Sequence, residues 1–148
     1  MSSNVSASAT IAAPADVVFA ILSDARQHPR IDGSGTVLGL AQGPDRLELG
    51  SKFAMRMKMG AKYQTPNTVV EFEPGRRIAW KHFAPHRWRY ELEPLGDAST
   101  RVTETWDISR WPIGARQVLR AMFAEKTRAG IEQTLVKLAE AAEADAGR

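Results

Sequence analysis

From Thr36 to Ser109 large apolar and polar side chains alternate in six blocks, and the alternation gives way to one long run of helical spacing. Strands turn successive side chains to opposite faces, so each block reads as a strand with one apolar side. The blocks are Thr36–Leu40, Ser51–Met59, Thr65–Glu73, Arg77–Phe83, Arg87–Pro94 and Thr100–Ser109. Turn residues separate them: Gly43-Pro44-Asp45, Gly60, Pro74-Gly75, Ala84-Pro85 and Gly96-Asp97. Such short connections require antiparallel neighbours. Upstream, Val5–Ala13 forms a seventh alternating segment. Two short helices follow it, one opened by Pro14 with Val17, Val18, Ile21 and Leu22 at helical spacing, the other broken by Pro29 and ended by Gly33 and Gly35.

The closing helix spans about Pro112 to Ala144, with Val118, Leu119, Met122, Phe123, Lys126, Ile131, Leu135 and Leu138 in a stripe. Its apolar side must be buried on one face of the sheet. The predicted architecture is α+β: a strongly curved antiparallel sheet of about seven strands wrapped around a long C-terminal helix, with a tunnel or cup between them. The 148 residues suit one domain, with about residues 5–142 ordered.

Phe53, Met55, Met57 and Met59 share one side of their strand. Methionine re-packs around irregular neighbours, which suits a wall that adapts to a guest. With the methionines placed inward, Thr68, Val70 and Phe72 follow on the next strand. Ile78, Trp80 and His82 come next, then Trp88, Tyr90 and Leu92, and finally Val102, Glu104, Trp106 and Ile108. The expected ligand-binding lining is Phe53, Met55, Met57, Met59, Val70, Phe72, Trp80, Trp88, Tyr90 and Trp106, closed by Leu119, Met122 and Phe123 of the helix. A packed core that happens to use methionine is the competing interpretation. Two polar groups interrupt this side, His82 and Glu104, and polar groups on an apolar face are informative. Desolvation raises a carboxyl pKa toward neutrality, so Glu104 is the candidate proton-transfer group, with His82 or Tyr90 as its partner.

Net charge is +3, with 20 Lys and Arg against 17 Asp and Glu. That excess is too mild to indicate nucleic acid. Arg76, Arg77, Lys81, Arg87 and Arg89 are answered at matching strand positions by Glu71, Glu73, Glu91 and Glu93, which reads as a neutralised outer face. The chain has no cysteine, which excludes disulfides and thiolate chemistry. No stretch approaches the roughly 20 apolar residues of a membrane span, and the first residues do not form a signal peptide, so a cytoplasmic location is expected. His82 and His86 lie roughly 13 Å apart if they share a strand, too far to chelate one metal unless the Pro85 turn folds them together. No metal or cofactor is expected, since phosphate loops and nucleophile elbows are missing from the sequence.

The stretches ATIAAPADVVFAILSDARQHPRIDG, NTVVEFEPGRRIAWKHF and RWRYELEPLGDASTRVTETWDIS, with the closing helix, resemble the START-like (SRPBCC, helix-grip) superfamily. The likeness is to its bacterial polyketide cyclase/dehydrase and lipid-transport branch. One departure is Ile31, where many such proteins carry tryptophan. The resemblance implies a ligand cavity between sheet and last helix, and supplies no catalytic motif. Three functions stay open at this point. One is binding or carrying a hydrophobic small molecule (lipid, polyketide or aromatic), as a monomer or homodimer. Another is a polyketide cyclase or dehydratase using Glu104 and His82. The third is a partner-binding module, which a densely charged outer face disfavours.

Overall fold

The computed structural model describes residues 4–82 and 84–147. Strand β1 (Val5–Ile11) leads into helix α1 (Ala15–Leu22), a 3₁₀ turn (Ala25–Gln27) and helix α2 (His28–Ile31). Six strands follow: β2 (Val37–Gln42), β3 (Lys52–Met59), β4 (Ala61–Glu73), β5 (Arg77–Lys81), β6 (Arg87–Pro94) and β7 (Thr100–Asp107). Helix α3 (Ile113–Ala146) ends the chain. The strands form one antiparallel sheet in the order β1-β7-β6-β5-β4-β3-β2, so the first strand closes against the last. Pro29 lies in the first turn of α2, which its fixed φ favours, and starts that helix where the sequence reading had it broken. The predicted strand end at Phe83 lies outside the described residues.

The longest departure from the alternation is β4, which begins at Ala61, four residues before the expected start at Thr65. Gly60, at φ +72°, makes a turn so tight that Met59 pairs with Ala61. Pro66 is tolerated inside the strand because β5 pairs with β4 only from Thr68 onward, leaving one neighbour there. A bulge between Val69 and Glu71 then reverses the expected phase. Val69 lies opposite Trp80 and is 1% exposed. Thr65 and Asn67 share its face, buried opposite Met55 and Phe53. Thr68 therefore points outward, and Val70 is the bulged residue, half-buried and not in the lining row; Phe72 regains the inward face opposite Ile78.

Helix α3 packs with its second half. Its buried residues are Ile131, Thr134, Leu135, Leu138, Ala141 and Ala142. The loop after α2 holds it there. The Gly33 N–H donates to Thr134 Oγ1 at 2.9 Å, and Lys137 Nζ donates to the Asp32 carbonyl at 3.0 Å. The Arg30 guanidinium pairs with both carboxylate oxygens of Asp145, at 2.8 and 2.9 Å. On the other flank Arg120 and Arg128 donate to the carbonyls of Asn4 and Ser6 along the edge of β1. In the first half, Leu119 and Ala124 reach the core, whereas Val118 is 57% and Met122 67% exposed. At 3.6 residues per turn, Phe123 falls on the same side of α3 as Gly130 and Lys137, toward the α2 loop. Met122 and Val118 fall on the side away from the buried stripe of Ile131, Leu135 and Leu138. The expected lining is thus corrected at Met122, which α3 turns away from the sheet.

Gly33 is the tightest point of this clasp. A Cβ there would lie 2.5 Å from the Gly130 carbonyl oxygen and 2.6 Å from the Thr134 nitrogen, both backbone atoms. Gly33→Ala must push α3 away from the α2 loop. We expect it to cost about 1–3 kcal/mol, as overpacking does, and a thermal melt beside wild type checks this. An unchanged melting temperature would show the clasp to be loose.

Candidate functional site

The inward face divides into a packed part and an open part. Phe53, Met55, Tyr90, Leu92, Val102 and Trp106 are each at most 5% exposed and belong to the core. Met57, Trp80, Trp88, Phe72 and Leu119 are half-buried, and Met59 is 62% exposed. The methionine row therefore starts in the core at Met55 and ends in the open at Met59. Phe123, on the α2-facing side of α3, is 40% exposed. Two hollows of about 390 and 360 Å³ lie elsewhere. One is on the charged outer face at Arg76, Arg77 and Glu91, the other between β1 and α3 at Ala9, Leu135 and Val136. Neither hollow lies beside the methionines, whose row passes from buried at Met55 through half-buried at Met57 to exposed at Met59.

Glu104 lies in the middle of this face, directly opposite Tyr90 on β6 and Ala7 on β1. It is 4% exposed, and its Oε1 has no hydrogen-bond partner. Burial pushes its pKa up to about 8, against the hydrogen bond with Tyr90, which lowers it; the negative charge of Asp32 raises it further. Tyr90, also buried, is pushed well above the usual phenol range by burial and by the neighbouring carboxylate. The Asp32 carboxylate is fixed in place by donors, namely the backbone N–H groups of Ser34, Thr36 and Val37 and the Ser34 hydroxyl. At neutral pH Glu104 is therefore mostly a neutral acid, able to donate a proton or a hydrogen bond to an oxygen on a guest.

An aromatic stack walls the acid. Trp80 lies 5.5 Å from Tyr90 and stacks at 4.7 Å on His28, with Phe53 edge-on to both rings. His28 was not anticipated from the sequence. Its Nε2 meets the Leu22 carbonyl oxygen at 2.9 Å, and burial lowers its pKa, so it is a neutral packing group. Its signal was the His-Pro at the start of a four-residue helix, too short to reveal which way it faces.

The structure does not bring His82 to Glu104. His82 Nδ1 bonds to the Asn67 amide oxygen, and burial lowers its pKa to about 4. Glu104 pairs through Tyr90 with Ile78 of β5, four residues before His82, which follows the end of that strand, a separation of roughly 13 Å for an extended chain. Tyr90, the other partner considered, is the one in contact. His82 and His86 do approach each other, with ring centroids 6.0 Å apart, because the Pro85 turn folds between them. Among the described residues there is still no group of three His, Asp or Glu to hold a metal ion.

The outer face is neutralised as the charge pattern predicts. Glu71 binds Arg87 at 2.9 Å and Arg89 at 2.7 Å, and Arg89 reaches Asp107 at 2.7 Å. Arg89 and Arg87 hold Glu71 down at about 2, and hydrogen bonds from Ser109 and Arg89 hold Asp107 at about 2 against its burial.

With the fold and the acid described, comparison with known proteins places the chain. The family model "Polyketide cyclase / dehydrase and lipid transport" matches residues 2–143, and the chain belongs to that family. The curated relative "Uncharacterized protein Rv0088" of Mycobacterium tuberculosis is 42% identical over 140 residues. The match covers 92% of this chain but 62% of the relative, so the chain spans about three-fifths of that protein's length. Protein NE0264 of Nitrosomonas europaea has the same fold at 16% identity, with a TM-score of 0.72 and 98% and 97% of the two chains covered. So does the di-domain ARO/CYC StfQ of the steffimycin biosynthetic pathway, at 19% identity and a TM-score of 0.69, with 98% of this chain and 52% of that one covered. Among the described residues no helix is long and apolar enough to cross a membrane.

The acid gives a pH signature. A carboxyl whose folded pKa is raised binds more protons folded than unfolded between its two pKa values. Its contribution to stability is full below about 4.5 and is lost as pH rises toward about 8. Glu104→Gln removes that titration. We therefore expect the variant to gain on wild type in melting temperature from pH 5 to pH 8.5. Parallel curves over that range would mean that Glu104 titrates as an ordinary carboxyl.

Proposed function

We propose that this chain binds an apolar, flat, oxygen-bearing small molecule in the cleft between the inward face of the sheet and the first half of α3. The observation that carries this is Glu104: a buried, largely neutral carboxyl with one free oxygen on a face of Trp, Tyr, Phe and Met. Burying an unsatisfied polar atom destabilises a fold, so its presence in an apolar wall is explained by a partner that comes and goes. The family supports a ligand-binding role. We also take the 148 residues to be one ligand-binding domain, working without a cofactor.

A second reading is enzymatic, and the Glu104 pKa favours it. Ring closure of a poly-ketone with loss of water requires a group to take a proton from carbon and give one to the departing hydroxyl. A carboxyl with a pKa near the working pH serves both steps. In this version Tyr90 takes the partner's place first given to His82.

Both readings are tested on Glu104→Gln, with 1-naphthol as binding probe and a panel of poly-ketones as substrates. The carrier reading predicts saturable quenching of tryptophan fluorescence, weakened by roughly 0.5–1.5 kcal/mol, and no turnover in wild type. The enzymatic reading predicts turnover that falls 100- to 10,000-fold. Met57→Trp is expected to abolish probe binding while the fold survives. If it loses stability and probe binding is unchanged, the cleft is not the site.

A further inference from the structure

A second set of unsatisfied polar atoms lies at the end of the sheet where the β5–β6 turn meets the β7–α3 turn. His86 Nδ1, Trp106 Nε1 and Trp111 Nε1 are all buried without a hydrogen-bond partner. Their rings form one cluster around His86. Trp106 is edge-on to it at 5.8 Å, Trp111 is parallel at 6.4 Å, and Trp88 is edge-on at 6.2 Å. Trp106 is 5% exposed and lies on the inward face two residues beyond Glu104, roughly 7 Å along the strand. Arg116 Nε is a further buried nitrogen without a partner. Arg116 precedes Phe123, Gly130 and Lys137 by successive steps of seven residues, which places it on the side of α3 that faces the α2 loop.

An indole N–H is a donor only, and a neutral imidazole offers one donor and one acceptor nitrogen. Burial lowers the pKa of His86, so the ring is neutral. Two buried indole N–H donors thus lie without partners beside an unpartnered imidazole nitrogen, which as the Nδ1–H tautomer makes a third donor, at one end of the aromatic inward face. We propose that His86, Trp106 and Trp111 form a seat for an acceptor oxygen, preferably a carboxylate, on a flat aromatic ligand whose other oxygen meets Glu104. The proposal rests on the inward face being a ligand site, and deepens it by naming what the ligand carries. A hydrocarbon, or a lipid with a single polar head, satisfies one end at most. A ligand with oxygens some 7 Å apart satisfies both.

The test uses ¹⁵N-indole NMR of the full chain, which resolves its four tryptophans separately. The probes are 2-naphthoate and, as a control without oxygen, naphthalene. We expect 2-naphthoate to shift the Nε1–H signals of Trp106 and Trp111 downfield saturably, and naphthalene to leave them near their starting positions. Trp111→Phe keeps a ring and removes the donor. It is expected to weaken 2-naphthoate roughly 3- to 10-fold and to leave naphthalene affinity unchanged. Arg116→Gln provides the same comparison from α3, should the tryptophan variant fail to fold. Equal affinity for both probes, insensitive to either variant, overturns the seat and leaves the cleft standing. So do shifts confined to Trp80 and Trp88. Failure of both probes to move any indole signal overturns the seat together with the cleft.

Discussion

The structure depends on where α3 is held. One helix of 34 residues cannot cover the whole inward face of a seven-stranded curved sheet. The loop after α2 fixes the helix by its second half, through Gly33 against Thr134, the Asp32 carbonyl on Lys137 and Arg30 on Asp145. The β1 edge holds the other flank through Arg120 and Arg128. Apolar burial at Ile131, Leu135 and Leu138 supplies the stability, and the clasp selects which residues take part in it. The first half of the helix is left with few buried side chains, and the proposed ligand site lies beside it.

The same arrangement explains the electrostatics of Glu104. The Asp32 segment that clasps α3 also points a fixed negative charge toward the acid. Its carboxylate is fixed there by backbone donors from Ser34, Thr36 and Val37. Burial and this neighbour act in one direction, and Tyr90 alone opposes them. A structural loop and a chemical group are thus coupled: what fixes the helix also helps keep the acid neutral.

Much of the fold was legible in the sequence because alternation and turn residues are local signals. Strands β6 and β7 could be placed within a residue or two at each end, and the single long helix followed from its spacing. The phase of β4 was not legible. In the run Thr68-Val69-Val70-Glu71-Phe72 either valine can face inward, and only pairing with β5 reveals the bulge. Glu104 could be found because a carboxylate interrupts an apolar row. Its partner could not, since alternation gives the face but not the rung, and His82 and Tyr90 share a face on different rungs. Met122 fits a stripe drawn by spacings of three and four, yet such a stripe drifts around a long helix, and the buried side is set by the clasp. The Trp106, Trp111 and His86 cluster joins three segments distant in sequence, and no local pattern announces it.

Methionine supplies the most direct measurement of the central claim that a guest enters beside α3. With ¹³C-methyl methionine labelling, the chain reports from Met1, Met55, Met57, Met59 and Met122. Met57 and Met59 line the open part of the inward row, while Met122 faces away from the sheet. Titration with 1-naphthol is predicted to shift the Met57 and Met59 methyl signals with one common saturating curve and to leave Met122 in place. Shifts at Met122 alone, or none at Met57 and Met59 while the probe binds, would contradict a ligand cleft on the inward face.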